Sequence, residues 1–137
     1  MPGIAREVES VEAALPGATV LVGREATREA LRRQGAEAGI IHLAAHAEFP
    51  GDNPLLSSIL LADGRLTFYD LFDLRLQAEM VVLSGCQTGQ NRVMEGDELM
   101  GLARGFQYAG ARSLVASLWR IEDAPAADFM SRFYAHI

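Results

Sequence analysis

An α/β fold, with a mostly parallel sheet and helices on both faces, is what this sequence predicts. Short apolar runs at residues 19–22, 39–45, 80–83 and 114–118 alternate with segments of helical periodicity, the pattern of strand–crossover–strand units. Two of those runs end in groups with chemistry, His46 and Cys86, as expected where a parallel strand runs out at the carboxyl edge of an open sheet. Between them, residues 59–62 and 65–66 flank Asp63-Gly64, a two-residue turn signal, so a β-hairpin is expected as an insertion between the His46 and Cys86 strands.

Taken in order, Ile4, Val8, Val11 and Leu15 recur at helical spacing up to the Pro16-Gly17 break. Residues 19–22 are then a short strand, and residues 28–33 a helix stopped by Gly35. The strand to His46 follows, and a loop through Pro50 and Pro54 leads into the hairpin. Thr67 with Asp70 three residues on has the form of a capped start for a short helix through Leu71 and Leu74. After the Cys86 strand and a polar loop, Leu99, Leu102, Ala103, Phe106 and Ala109 share one helical face, which Gly110 ends. Residues 114–118 are another buried strand. Asp123 is placed to cap a last helix whose Phe129, Met130, Phe133 and Ile137 are apolar.

The chain has 137 residues, enough for one domain, with half its residues hydrophobic and 22% charged. A net charge of −6 argues against a nucleic-acid partner, and Arg28, Arg32 and Arg33 read as a solvated helix face. No run is long and apolar enough to span a membrane, and a single free thiol fits a reducing cytoplasm. All 12 basic residues are arginine, which excludes a P-loop phosphate cradle and Schiff-base chemistry; the arginine, alanine and glycine richness fits a high-GC bacterial genome.

Cys86 lies in Met80-Val81-Val82-Leu83-Ser84-Gly85-Cys86-Gln87-Thr88-Gly89, and His46 ends Gly39-Ile40-Ile41-His42-Leu43-Ala44-Ala45-His46. A lone cysteine is commonly a small buried hydrophobe. Here small polar neighbours suit a strand-to-loop turn with exposed backbone N–H groups, and a histidine elsewhere completes a candidate nucleophile pair. From the residues alone both readings stand. His42 and His46 are four apart, yet the helical zinc motif needs a glutamate where Leu43 stands and a helix where a strand is expected; His42 reads as a satisfied core histidine, and no metal site is expected. Ser84 lacks the flanking glycines of a serine-hydrolase elbow, and no dinucleotide-binding glycine fingerprint occurs, so no cofactor is implied.

Five segments in order carry a family resemblance: His42-Leu43-Ala44-Ala45-His46, Asn53-Pro54-Leu55-Leu56-Ser57-Ser58, the run from Val81 to Gly89, Gly101-Leu102-Ala103-Arg104-Gly105-Phe106, and the run from Ala109 to Trp119. The chain resembles the CHAT domain, a caspase- and separase-like family often attached to tetratricopeptide repeats. The resemblance implies a caspase-like α/β fold and a cysteine endopeptidase acting on protein or peptide substrates. It carries a His-Cys dyad onto His46 and Cys86, which together hydrolyse a peptide bond through a thioester. Backbone N–H groups of Ala47 and Cys86 would form the oxyanion hole. The alternative is a catalytically silent CHAT-fold module for protein interaction or signalling. The expected partners are tetratricopeptide repeats, in the same polypeptide or another. Two departures stand out. Relatives commonly have glycine where Ala47 stands, which matters if that position needs a positive φ. They also continue past Ile137, so this single domain is expected to be incomplete at its C-terminus and perhaps at its N-terminus.

Caspase-like folds generally build the first specificity pocket beside the nucleophile. That points to Trp119, Asp123, Glu95 and Asp97 as substrate-binding, with Asp123 the favoured carboxylate for a basic residue before the scissile bond. Against this, Ser84 stands where the resembling metacaspases carry an aspartate, and Asp97 and Asp123 also suit helix N-termini.

Overall fold

The structure is a computed structural model that describes residues 2–48, 50, 53–84, 96–117 and 121–137. In chain order the elements are α1 (Pro2–Ala14), α2 (Arg28–Gln34), β1 (Ile40–Ala44), β2 (Ala47–Glu48), β3 (Ser58–Leu61), β4 (Gly64–Thr67), α3 (Phe68–Leu71), β5 (Met80–Ser84), α4 (Gly96–Ala109), β6 (Leu114–Ala116) and α5 (Asp123–Ala135). The parallel sheet has the order β1-β5-β6, and β2-β3-β4 form a second, antiparallel sheet between β1 and β5 in the chain. The expected α/β architecture with its hairpin insertion is therefore present.

β5 is the middle strand of the parallel sheet and buries both faces, so its run is continuously apolar: Val81, Val82 and Leu83 are all buried. Each such side chain contributes roughly 1.5–3 kcal/mol by leaving water. The two faces see different layers. Val81 and Leu83, with Ile41, pack against Leu102, Phe106 and Ala109 of α4 and Leu31 of α2. Val82 faces the other way, onto Met130 and Tyr134 of α5 and Val11 of α1. Helices thus cover both faces. The antiparallel sheet joins the first core through Ala47, Ile59 and Leu66.

Local chemistry sets several boundaries. Thr67 and Asp70 form the expected reciprocal capping box: Asp70 accepts from the Thr67 N–H at 2.7 Å, and the Thr67 hydroxyl accepts from the Asp70 N–H at 3.3 Å. Thr27 caps α2 by accepting from the Ala30 N–H at 3.0 Å. α4 ends at Gly110, whose φ of +119° lies where side-chain-bearing residues are strained. The approach of Leu76 fixes this position further, because its N–H donates to the Ala109 carbonyl at 2.7 Å.

Three expectations need correction. Residues 19–22 form no strand. A strand needs a ladder partner, and Thr19, Val20 and Leu21 make no backbone hydrogen bond among the described residues. The hairpin loop is Ala62-Asp63, one residue earlier than the Asp63-Gly64 signal, because Leu61 pairs with Gly64. Asp63 is committed elsewhere: its carboxylate accepts the Arg28 N–H at 2.8 Å, at the first residue of α2. That bond holds the Asp63 carboxyl below its usual range. The N-cap position of the last helix is Glu122, whose side chain makes no capping bond, and Asp123 is its first helical residue.

Gly110→Ala is expected to cost about 3 kcal/mol, since it combines a positive φ with a Cβ driven into the Leu76 carbonyl. A urea titration would check this as a lowered midpoint with an unchanged slope.

Candidate functional site

β1 and β5 are adjacent and parallel, paired from Ile40↔Met80 to Ala44↔Ser84. The pairing carries on one bond past the strands, where the Ala45 N–H donates to the Ser84 carbonyl at 3.2 Å. His46 follows Ala44 by two residues, and Cys86 follows Ser84 by two. The two parallel strands therefore end level with one another at the same edge of the sheet. Cys86 itself lies outside the described residues, while His46 is half-buried.

Immediately after His46 the chain turns into the second sheet. The Leu60 N–H donates to the His46 carbonyl at 2.8 Å, and Ala47 stands opposite Ile59. With that bond on the preceding residue, Ala47↔Ile59 is the non-hydrogen-bonded kind of antiparallel pair. The Ala47 N–H therefore points away from β3 rather than into the ladder. Ala47 is buried, and no described non-glycine residue has a positive φ. Alanine in place of the expected glycine thus costs no backbone strain here. β2 was not anticipated as a strand; with only two residues, Ala47–Glu48, it offers no periodicity to read.

The residues expected to line a specificity pocket are less fully placed. Glu95 and Trp119 lie outside the described residues. Asp97 is the second residue of α4 and Asp123 the first of α5, so both occupy helix N-termini. Ser84 is buried at the end of β5.

Comparison with known proteins now decides the family. The CHAT domain family model matches residues 1–137. The chain belongs to the CHAT domain family. Curated relatives include tetratricopeptide repeat protein 28 of Mus musculus, 37% identical over 94 residues, and tetratricopeptide repeat protein 28 of Homo sapiens, 33% identical over 94 residues. Each alignment takes in 69% of this chain but only 4% of the relative, so the chain spans a small part of those proteins.

This CHAT domain also holds a buried polar cluster behind the strand that leads to His46. His42 Nδ1 lies 2.8 Å from the Tyr134 hydroxyl, and His42 Nε2 lies 3.0 Å from Glu7 Oε1. A carboxylate only accepts, so Nε2 carries the hydrogen it donates to Glu7; in the neutral imidazole Nδ1 then accepts from the Tyr134 O–H. His42 is thus the satisfied core histidine expected, with both ring nitrogens occupied. Glu7 and Tyr134 went unnoticed in the sequence. The available signal was an acid inside an apolar stripe, since Glu7 lies three residues after Ile4 and four before Val11. Among the described residues, no cluster of three or more His, Cys, Asp or Glu side chains is placed to hold a metal ion. No helix among them is long and apolar enough to cross a membrane.

Burial, with the Glu7 charge adding to it, pushes the Tyr134 hydroxyl up to about 12 from 10.0. The folded value lies above the unfolded one, so folding favours the protonated phenol. That stability is fully present below pH 10 and is lost as pH rises toward 12. Urea midpoints measured across this window should fall with pH, and Tyr134→Phe should flatten this component. At neutral pH the same substitution leaves His42 Nδ1 without its donor and is expected to cost about 1–2 kcal/mol.

Proposed function

We propose that this domain is a cysteine endopeptidase in which His46 and Cys86 form the dyad. The carrying observation is the pairing of Ala44 with Ser84, residues that His46 and Cys86 each follow by two positions in the chain. Membership of a caspase-like family supports the same reading. His46 takes the thiol proton as the Cys86 sulfur attacks the scissile carbonyl carbon. The tetrahedral oxyanion then collapses with cleavage of the C–N bond, and His46 protonates the departing amine. Water, deprotonated by His46, hydrolyses the thioester and regenerates the thiol. The Ala47 N–H, unused by the β2–β3 ladder, is a suitable oxyanion donor together with the N–H of Cys86. This chemistry needs a reduced thiol, which a reducing compartment such as the cytoplasm maintains.

A second reading is a non-hydrolysing interaction module. It is favoured by the relatives' name, since repeat arrays of that kind present extended binding surfaces. On either reading, tetratricopeptide repeats are the proposed partner.

Alkylation of the chain with iodoacetamide separates the two. A dyad thiol should react at Cys86 with a rate that titrates well below the ordinary thiol range of about 8.5, and His46→Ala should return it to that range. In peptide cleavage, Cys86→Ala should lower kcat by about a thousandfold or more with an unaltered circular dichroism spectrum. Cleavage that persists in Cys86→Ala, or that a chelator stops and zinc restores, would refute the proposal.

A further inference from the structure

The loop of the β3–β4 hairpin is clasped to the start of α2 by four hydrogen bonds. The Ala62 N–H donates to the Ala26 carbonyl at 2.9 Å, and the Arg28 N–H donates to the Asp63 carboxylate at 2.8 Å. The Arg28 guanidinium then reaches back across the loop: Nη2 donates to the Asp63 carbonyl at 3.2 Å and Nη1 to the Arg65 carbonyl at 3.4 Å. Its Nε lies 3.6 Å from the Asp63 carboxylate, which adds an ion pair. Forming α2 does not call for this arginine. It is the first residue of the helix, where the positive end of the dipole disfavours a cation, and Thr27 does the capping. A residue at odds with its local setting is accounted for by what it holds elsewhere.

What it holds leads to His46. Leu60 and Ala62 stand two residues apart, so their N–H groups leave the same edge of the hairpin, the first to the His46 carbonyl at 2.8 Å and the second to Ala26. One stretch of main chain, about 7 Å long, therefore links the clasp to the bond that anchors His46. We propose that Arg28 is a positioning residue for the candidate site: by fixing the hairpin loop it fixes the Leu60 N–H, and with it the backbone of His46 and Ala47. Among the described residues, other ties between β2 and the hairpin are few. Two residue pairs join β2 to β3, and Arg65 pairs with Glu48 at the surface. Burial of Ile59 and Leu66 keeps the hairpin folded without the clasp, so Arg28 supplies direction rather than the fold. An ion pair this exposed adds little stability, which fits that role. The effect on hydrolysis rests on the His46–Cys86 reading; the effect on the His46 backbone does not.

The test is amide hydrogen exchange on the 137-residue chain and on two variants that open the clasp from either side, Arg28→Ala and Asp63→Ala. The Leu60 amide should exchange about fivefold or more faster in each, while the Val82 and Val115 amides of the parallel sheet change by less than about twofold. Arg33→Ala, which removes an exposed arginine of the same helix, should leave all three unchanged. Combining Arg28→Ala with Asp63→Ala should add little, because both break one clasp. The second readout is the pH profile of Cys86 alkylation by iodoacetamide. In either variant it should move toward the ordinary thiol range, part of the way to the His46→Ala profile, which a loss of stability alone would not produce. If one variant fails to fold, the other decides. Failure of both to fold, an unchanged Leu60 amide, or equal acceleration of Val82 and Val115 would overturn the proposal. So would an unmoved Cys86 profile in a chain whose profile responds to His46→Ala. If His46→Ala leaves the profile where it was, the dyad reading alone fails, and the Leu60 amide still decides for or against Arg28.

Discussion

The in-register parallel pairing of β1 with β5 is the constraint on which the rest of this domain depends. Strand side chains alternate, so one register decides which layer every residue meets. Ile41, Val81 and Leu83 go to the α4 core, while His42 and Val82 go to the α1–α5 layer. A slip of one residue would drive His42 into the apolar core and strand Glu7 without its partner. The same register brings Ala44 and Ser84 level at the ends of the two strands. Packing and site geometry are therefore one requirement rather than two.

The buried cluster of Glu7, His42 and Tyr134 strengthens that register in a way an apolar core would not. Apolar packing tolerates small shifts, whereas a buried carboxylate is satisfied only where its donor is within hydrogen-bond reach. Glu7 on α1 and Tyr134 on α5 both point to one imidazole on β1, so three elements must arrive together. Polar groups of this kind add little net stability, yet they penalise alternatives strongly when a partner is lost. The His46 strand is accordingly held from behind by a polar clamp and from in front by the Leu60 bond to the His46 carbonyl.

Much of this was legible in the sequence, and what was not has physical reasons. β1 and β5 announced themselves as apolar runs because parallel strands bury both faces, and the Thr67–Asp70 box was readable because capping is local. The strand expected at residues 19–22 was misread because composition reports willingness to pair, while pairing depends on a neighbour that no local pattern reveals. The hairpin turn was placed one residue late because Asp63 is drawn to the N-terminus of α2, a contact 35 residues distant in the chain. Glu7 was passed over as one more acid on a surface helix; only the tertiary approach of His42 distinguishes it. At the site, His46 and Ala47 could be ordered from sequence, but the direction of the Ala47 N–H follows from its register with Ile59, which is non-local.

That last point bears on what the antiparallel insertion is for. A histidine at the end of a parallel strand would sit on a loop, free to adopt many positions, with the following N–H pointing anywhere. Pairing β2 to β3 at once after His46 removes that freedom: the His46 carbonyl is anchored to Leu60, and the Ala47 side chain is buried against the core. Alternation in the antiparallel ladder then leaves the Ala47 N–H on the side away from β3. On the proposed dyad mechanism, holding His46 and the Ala47 N–H on a paired strand prepays the ordering that a mobile loop would incur during reaction. The sheet insertion thus fixes the backbone around His46, and its sequence is constrained by backbone direction as much as by the side chains it carries.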